Sequence, residues 1–180
     1  LPHVEQTRVI ARRFDERYGR VDPAHPVFPE PESLLSRSGT ILGLDGNKMS
    51  KSRGNTIELG MTADETARLL KRAVTDSDRH ITYDPVNRPE VSNLVNIAAM
   101  CLDRTPEDVA EEIGDGGGGG LKKLATAAVN DHFAAHRARR AELMADPGAL
   151  RDVLRAGNER ANAVAEATLA EVRQAMSMDY

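Results

Sequence analysis

The segment TILGLDGNKMSKSRGN, residues 40–55, carries the most structural information in the sequence. It opens with a short apolar run, Thr40–Leu44, of the kind that forms a buried strand. Residues 45–47, Asp-Gly-Asn, have the composition of a turn. From Lys48 to Asn55 the chain is polar, basic and without a hydrophobic period, which is typical of a loop. We therefore expect a strand, a tight turn and an exposed loop in succession.

The loop combines ammonium groups with hydroxyl groups. Lys48 and Lys51 lie three residues apart, and Ser50 and Ser52 contribute the hydroxyls. Polyphosphates are bound by such combinations, because compact cations neutralise the charge and hydroxyls and backbone amides bond the oxygens. A bare pair of lysines at this spacing would indicate no more than a solvated basic loop. The complete KMSKS string behind an apolar run favours phosphate binding.

The chain beyond residue 60 is predicted to be helical throughout, and a domain boundary is placed there. Aromatic residues make up 3% of the sequence and Trp is absent, so the core must consist of small and aliphatic side chains, which suits close-packed helices. Capping residues and first-turn prolines mark the helix starts. The expected helices run from Thr62 to about Val74, from Pro89 to Leu102, from Thr105, from Leu121 to about Ala145, and from Asp146 to Met176. Between them, the glycine run at residues 116–120 is predicted to be a linker or an exposed turn.

The N-terminal part is predicted to be a helix followed by a loop. Apolar residues between Leu1 and Tyr18 fall close to one stripe, and Gly19 provides a stop signal. Between Val21 and Pro31 the density of prolines excludes regular structure.

The charge is unevenly distributed. The net charge of −4 argues against a general coat for nucleic acid. From Leu121 to Arg140, however, five bases accompany one acid, Asp131. The predicted helix over Leu121–Ala145 is therefore the best candidate for contact with RNA phosphates, and an ordinary charged surface is an equally good interpretation.

Other reactive residues suggest structural roles. Cys101 lies in an apolar stretch and is interpreted as a small buried hydrophobe, not a nucleophile. His132 and His136 share a helix face but have no third ligand in register, so we expect no metal site. The polar residues Asp76, Asn93 and Asn96 lie in apolar helical segments; each either satisfies buried polar groups or links the helices to the loop region. No apolar run is long enough to span a membrane, and the lone cysteine agrees with a cytoplasmic protein.

The string Lys48-Met49-Ser50-Lys51-Ser52 resembles the second signature of the class I aminoacyl-tRNA synthetases. Further strings resemble the tryptophanyl-tRNA synthetases in order and spacing. These are Leu1–Arg8, Ala73–Ser77, Tyr83-Asp84, Ser92–Ile97 and the closing segment Gly157–Met176. The resemblance covers essentially the whole chain.

This resemblance implies a fold and a set of substrates. Residues 1–60 would be the C-terminal piece of a Rossmann-like, ATP-binding catalytic domain, and residues 61–180 an all-helical anticodon-binding domain, giving an α/β fragment followed by an all-α part. The substrates would be ATP with Mg²⁺, L-tryptophan and tRNA(Trp), and the complete enzyme would be a homodimer.

The resemblance also assigns roles to the residues of the site. Lys48 and Lys51 would be catalytic, stabilising the charge of the ATP phosphates together with Ser50 and Ser52. Met49 would pack to hold the loop. The backbone near Ile41 would contact the adenine.

The departures from the family pattern concern its first half. The H-x-G-H and G-x-D-Q segments and a tryptophan pocket are absent from these residues, and the first residue is Leu. We therefore expect the C-terminal half of a synthetase, inactive alone. The alternative is a truncated, non-catalytic homologue that binds tRNA or a protein partner.

Overall fold

The computed structural model describes residues 2–18, 26–35 and 41–178. These residues are mostly helical. The α-helices are α1 (Pro2–Tyr18), α2 (Ala63–Lys71), α3 (Pro89–Leu102), α4 (Pro106–Ile113), α5 (Gly117–His132), α6 (Ala134–Ala145) and α7 (Pro147–Ala175), with short 3₁₀ helices at Lys51–Arg53 and Gly114–Gly116. In this part of the chain, no helix is both long enough and apolar enough to cross a bilayer.

Contacts divide the chain into two compact units. One comprises Leu1–Ser36 with Asp146–Tyr180, and the other Arg37–Ala145. The second unit contains the loop of the signature string and helices α2 to α6. The boundary predicted near residue 60, between a nucleotide-binding piece and a helical domain, stays a prediction.

In the first unit, the proline-rich segment at residues 26–35 packs along α1. Arg12 donates two hydrogen bonds to Glu30, at 2.8 and 2.7 Å, and the ring of Phe14 meets that of Phe28 edge-on at 5.0 Å between centroids. The segment has no regular structure, as predicted; residues 19–25 lie outside the described part. Helix α7 begins at its predicted cap, where the Asp146 side chain accepts from two backbone amides of the first turn.

The core of the second unit lies between α2, α3 and α5. Its fully buried side chains are aliphatic, and several alanines allow the helices to approach closely. Its members include Leu70, Leu94, Val95, Ala98, Ala99, Leu121, Ala125, Ala128 and Val129. The prediction of a helical core built from small and aliphatic residues is confirmed.

The predicted caps are in place. Thr62 and Glu65 form a complete capping box at α2, and the Thr105 side chain accepts from the backbone N–H of Asp108 at α4. Helix α2 ends at Lys71, however, earlier than predicted. The reason is that the backbone N–H of Val74 leaves the helix and donates to the carbonyl of Leu44, at 2.9 Å.

The glycine run at residues 116–120 was predicted to be a linker or an exposed turn, and this prediction is wrong. Gly117–Gly120 form the first turn of α5, although each glycine destabilises a helix by about 1 kcal/mol relative to Ala. Packing and backbone conformation account for the glycines at positions 118 and 117, respectively. A Cβ atom at Gly118 would lie 2.7 Å from the Thr75 hydroxyl, and Gly117 has a φ of +67° beside the backbone of Arg79.

Two further boundaries differ from the prediction. The long helix expected over residues 121–145 is interrupted at Phe133, which separates α5 from α6. The strand expected over residues 40–44 is reduced, among the residues described, to one isolated antiparallel bridge between Leu42 and Lys48. A strand needs a neighbouring strand for its backbone groups, and here the Asn93 side chain bonds those of Leu42 instead.

Candidate nucleotide-binding loop

A tight turn leads into the signature loop. The backbone N–H of Gly43 donates to the carbonyl of Asn47 at 2.7 Å, and that of Gly46 donates to the carbonyl of Gly43 at 3.0 Å. Gly46 has a φ of +78°, a conformation that L side chains rarely adopt. The turn therefore needs the glycine in the Asp-Gly-Asn sequence, as its composition predicted.

Asn55 holds the loop from inside. It is 5% exposed, and its side chain spans the loop with three hydrogen bonds. Its Oδ1 accepts from the backbone N–H of Ser50 at 2.8 Å, and its Nδ2 donates to the carbonyl of Lys48 at 3.2 Å and to the Asp45 carboxylate at 2.7 Å. Its backbone carbonyl accepts from Leu44 at 3.0 Å. Asn55 therefore determines the path of the backbone through the signature string.

Gly43 makes room for this clamp. A Cβ atom at position 43 would lie 2.1 Å from Asn55 Nδ2 and 2.4 Å from its Cγ. Any side chain at position 43 would thus displace the Asn55 amide. Neither residue was singled out from the sequence, because a contact that closes a loop has no periodic pattern. The only available signal in the sequence was that a glycine precedes the polar loop and an asparagine ends it.

Asp45 completes the inner network. The Asn55 amide, and next the backbone N–H of Asn47, hold the pKa of the Asp45 carboxyl below its ordinary value. Asp45 is therefore ionised and engaged within the turn, and its role is to orient the Asn55 amide.

The cations and hydroxyls of the string lie on the outer side of the loop. Lys51 opens the 3₁₀ turn Lys51–Arg53, which Gly54 ends with a φ of +63° and a hydrogen bond from its N–H to the carbonyl of Lys51. The hydroxyls of Ser50 and Ser52 lie 2.8 Å apart. Lys48 and Lys51 are exposed, and within residues 2–18, 26–35 and 41–178 neither pairs with a carboxylate. Both ammonium groups are thus available to an anion.

An apolar cavity of about 190 Å³ lies beside the loop. Ile41 and Met49 line it together with apolar side chains from α3 and α5, and Cys101 lies half-buried in its wall. Burial raises the pKa of the Cys101 thiol, which keeps it neutral and unreactive. An apolar slot of this kind accepts a flat aromatic ring better than a charged group.

A second cavity, of about 570 Å³, lies on the other side of Met49. It is lined by Ser50, Lys51 and residues 56–60. The Thr56 hydroxyl is buried and has no hydrogen-bond partner among the described residues. Met49 therefore lies between an apolar cavity and a second cavity whose mixed lining includes the Lys51 ammonium group, the Glu58 carboxylate and an unused hydroxyl.

Asn93 joins helix α3 to the segment before the loop. Its amide accepts from the backbone N–H of Leu42 at 2.8 Å and donates to the carbonyl of the same residue at 3.1 Å. Asn93 is 8% exposed, so this pairing satisfies a buried polar side chain and also links the two parts of the unit. Asp76, another of the three candidates, instead pairs with Arg88, whose guanidinium donates to both carboxylate oxygens at 2.7 and 2.8 Å.

The histidines of the basic stretch lie at the surface, whereas one of its arginines is half-buried. His132 and His136 are exposed and contact the ring of Phe133 edge-on. No group of three potential metal ligands occurs in the part of the chain that the structure describes. Arg137, counted from the sequence as part of a basic surface, is half-buried and donates to the Met61 carbonyl and the Thr66 hydroxyl, so it stabilises the helix packing.

Comparison with known proteins relates this loop to a family. Residues 2–134 match the family model described as tRNA synthetases class I (W and Y). The chain is 38% identical over 179 residues to a tryptophan–tRNA ligase of Thermosynechococcus vestitus, covering 96% of this chain and 54% of the relative. It is 35% identical over 180 residues to a tryptophan–tRNA ligase of Synechocystis sp., covering 97% and 53%. The chain thus spans about half the length of the curated relatives it matches.

Solved structures agree with this relationship. Tryptophanyl-tRNA synthetase from Campylobacter jejuni, in a crystal structure with ADP and tryptophan, superposes with a TM-score of 0.66 at 27% identity, covering 97% of this chain and 53% of that one. The enzyme from Mycoplasma pneumoniae, at 21% identity, shares the fold with a TM-score of 0.75. The resemblance predicted from the signature string and the helical strings is confirmed: the chain belongs to the class I tRNA synthetases of the tryptophan and tyrosine (W and Y) family.

Proposed function

We propose that the complete protein is a tryptophan–tRNA ligase, which converts ATP, L-tryptophan and tRNA(Trp) to tryptophanyl-tRNA, AMP and pyrophosphate. The observation that carries this proposal is the arrangement of the signature loop. Asn55 holds the backbone of Lys48 and Ser50 on the inside, and the two ammonium groups lie outside without carboxylate partners in the described residues. Tryptophan is proposed because the curated relatives named above are tryptophan–tRNA ligases. Those names do not favour the non-catalytic alternative.

The two cavities beside Met49 suggest how ATP lies along the loop. We assign the adenine to the apolar cavity, against the backbone near Ile41, since a flat apolar ring suits that wall. The triphosphate then extends past Met49 toward Lys51 and the hydroxyls of Ser50 and Ser52. Met49 packs between the two cavities and holds the loop at this distance.

The lysines act on the leaving group in the first step. A carboxylate oxygen of tryptophan attacks the α-phosphorus of ATP. The bond from that phosphorus to the oxygen that bridges the α- and β-phosphates then breaks. The negative charge on the departing pyrophosphate grows in the transition state, where Lys48 and Lys51 stabilise it. In the second step a ribose hydroxyl at the tRNA end attacks the activated carbonyl carbon, and AMP leaves.

Mg²⁺ is proposed as the companion ion of ATP. The loop offers cations and hydroxyls in place of clustered carboxylates, and in the described part of the chain no group of three ligands forms. The donor set therefore does not fit a resident metal ion, and no step is assigned to one.

The wider assignments are proposals of the same kind. We propose that residues 1–60 are the C-terminal piece of a Rossmann-like catalytic domain and that residues 61–180 bind the anticodon region of tRNA(Trp). We further propose that the complete enzyme is a cytoplasmic homodimer.

The test is the substitution Lys51→Ala in the complete protein, assayed by tryptophan-dependent exchange of pyrophosphate into ATP. Removal of one group that stabilises transition-state charge costs about 10²- to 10³-fold in rate. Arg139→Ala is the matched control, because Arg139 is an exposed cation paired with Glu142 on α6; exchange should be unchanged. Equal exchange by Lys51→Ala and the parent protein would show the assignment to be wrong. Exchange that depends on tyrosine in place of tryptophan would overturn the substrate.

A further inference from the structure

A basic groove lies between α2 and the N-terminal half of α5. It has a volume of about 800 Å³ and shares no lining residue with the signature loop. Its walls carry three lysines, Lys71 from the last turn of α2 and Lys122 and Lys123 from α5. Between them the surface consists of small side chains. We call this feature the lysine groove.

The charge of the lysine groove is not neutralised from within. In the part of the chain that the structure describes, none of its three ammonium groups has a carboxylate partner. One acid, Asp76, lines the groove, but Arg88 pairs with both of its oxygens and holds the pKa of that carboxyl below its ordinary value. The groove is therefore a positive region on a chain whose net charge is −4.

Two cations of α6, the helix that follows α5, are used differently. Arg137 is bonded to the Met61 carbonyl and the Thr66 hydroxyl, and Arg139 pairs with Glu142. The contrast separates cations that stabilise the fold from cations that face a concave surface without partners.

The start of α5 adds to the positive potential. Gly118 and Gly119 line the groove, no side chain caps the helix, and a Cβ atom at Gly119 would meet nothing within 4 Å. The amides of this first turn thus lie close to the groove surface, at the end of the helix where the peptide dipoles favour an anion.

We propose that the lysine groove binds the phosphodiester backbone of the tRNA, contacting up to three phosphates through Lys71, Lys122 and Lys123. An extended polyanion fits this geometry, because the cations are spread over two helices along an open groove. Such contacts position the RNA and carry no sequence information. The inference rests on the proposed function for the identity of the RNA, and it assigns the contact to a surface distinct from the nucleotide-binding loop.

The experiment measures tRNA affinity of the complete protein as a function of salt. Each phosphate contact contributes about 0.7 to 0.9 to the slope of log affinity against log salt. We expect each of Lys71→Ala, Lys122→Ala and Lys123→Ala to reduce the magnitude of the slope by about that amount. The triple variant should lose about two to three units of slope, and its affinity for tRNA(Trp) and for a non-cognate tRNA should fall by the same factor.

Two controls accompany the lysine variants. Arg139→Ala removes an exposed, ion-paired cation of α6 and should leave the slope unchanged, while Lys123→Arg should retain it. Gly119→Glu places a carboxylate in open space beside the groove and should weaken tRNA binding without disturbing the packing.

The outcomes separate this proposal from the proposed function. Tryptophan-dependent pyrophosphate exchange needs no tRNA and should be the same in the triple variant and the parent protein. An unchanged salt slope in the triple variant would overturn the proposal, as would a loss confined to the cognate tRNA. Competition by inorganic phosphate at millimolar concentration would show a small-anion site instead. If the parent protein showed no pyrophosphate exchange but the lysine variants changed the salt slope as expected, the ligase activity would be refuted. The proposed contact between the lysine groove and tRNA would still be supported.

Discussion

The Asn55 clamp makes the sharpest prediction about the loop. Asn55→Ala removes the acceptor of the Ser50 N–H and the donor to the Lys48 carbonyl. A neutral hydrogen bond contributes about 0.5 to 1.5 kcal/mol net, so these two bonds together stabilise the closed loop by about 1 to 3 kcal/mol. The contact with Asp45 is left out of this sum, because that carboxylate is exposed to solvent screening.

The expected result is a lower kcat/KM for ATP. A cost of about 1 to 3 kcal/mol corresponds to about a 5- to 150-fold fall in kcat/KM for ATP in pyrophosphate exchange. Limited trypsin digestion provides a second readout, since an opened loop exposes the bonds after Lys48, Lys51 and Arg53. Cleavage there should accelerate by a factor in the same range.

Asn47→Ala is the matched control. Asn47 is an exposed asparagine in the same turn, whose side chain makes a long bond, 3.3 Å, to the Asp45 carbonyl and does not span the loop. We expect Asn47→Ala to change kcat/KM for ATP and the rate of tryptic cleavage by less than threefold, since water replaces an exposed hydrogen bond. If Asn55→Ala stayed within twofold of the parent protein in both readouts, the loop would not depend on this clamp and the reasoning would fail.

Three further predictions concern stability, measured by urea unfolding of the complete protein. Asn93→Ala leaves both backbone groups of Leu42 without partners and should cost about 1 to 3 kcal/mol with an unchanged m value; an unchanged midpoint would show that water replaces the amide. Thr62→Ala removes the N-cap of α2 and should cost about 1 kcal/mol, whereas Thr62→Ser should cost little. Hydrogen bonds from Arg88 lower the pKa of Asp76 in the folded state, so this pair stabilises the protein above about pH 4 and the stabilisation is lost as the pH falls further. Asp76→Asn should therefore flatten the acid limb of the stability profile, and an identical limb in both proteins would contradict this.

Local signals explain what could be predicted from the sequence. Helix starts at Thr62, Thr105 and Asp146 agree with the structure because a cap is decided by a side chain and the amides two or three residues away. The start at Pro89 has no side-chain cap and agrees because a proline suits the first helical position. The signature string was recognisable because its lysines and serines are adjacent in the chain. Helix ends were predicted less well: α2 stops at Lys71 because a tertiary bond, from Val74 to Leu44, competes with the next helical turn.

The tertiary structure decided the contacts that join distant segments. Asn93 bonds to Leu42 across 51 residues, and such a pair has no pattern in one sequence. The need for glycine at position 118 is visible only in the packed structure, because a Cβ atom there would lie 2.7 Å from the Thr75 hydroxyl. The lysine groove exists only because α2 and α5 pack together, which brings Lys71 beside Lys122 and Lys123.

The amino-acid sequence alone was enough to predict a phosphate-binding loop, from the cations and hydroxyls of residues 48–52, and to locate the starts of several helices. Which of its charged residues are exposed and unpaired depends on the packing of the helices. Arg137 and Lys123 belong to the same basic stretch, yet one is bonded inside the helix packing and the other lines an open groove. The physical reason is that charge is a property of the residue, whereas burial and pairing depend on every segment packed around it.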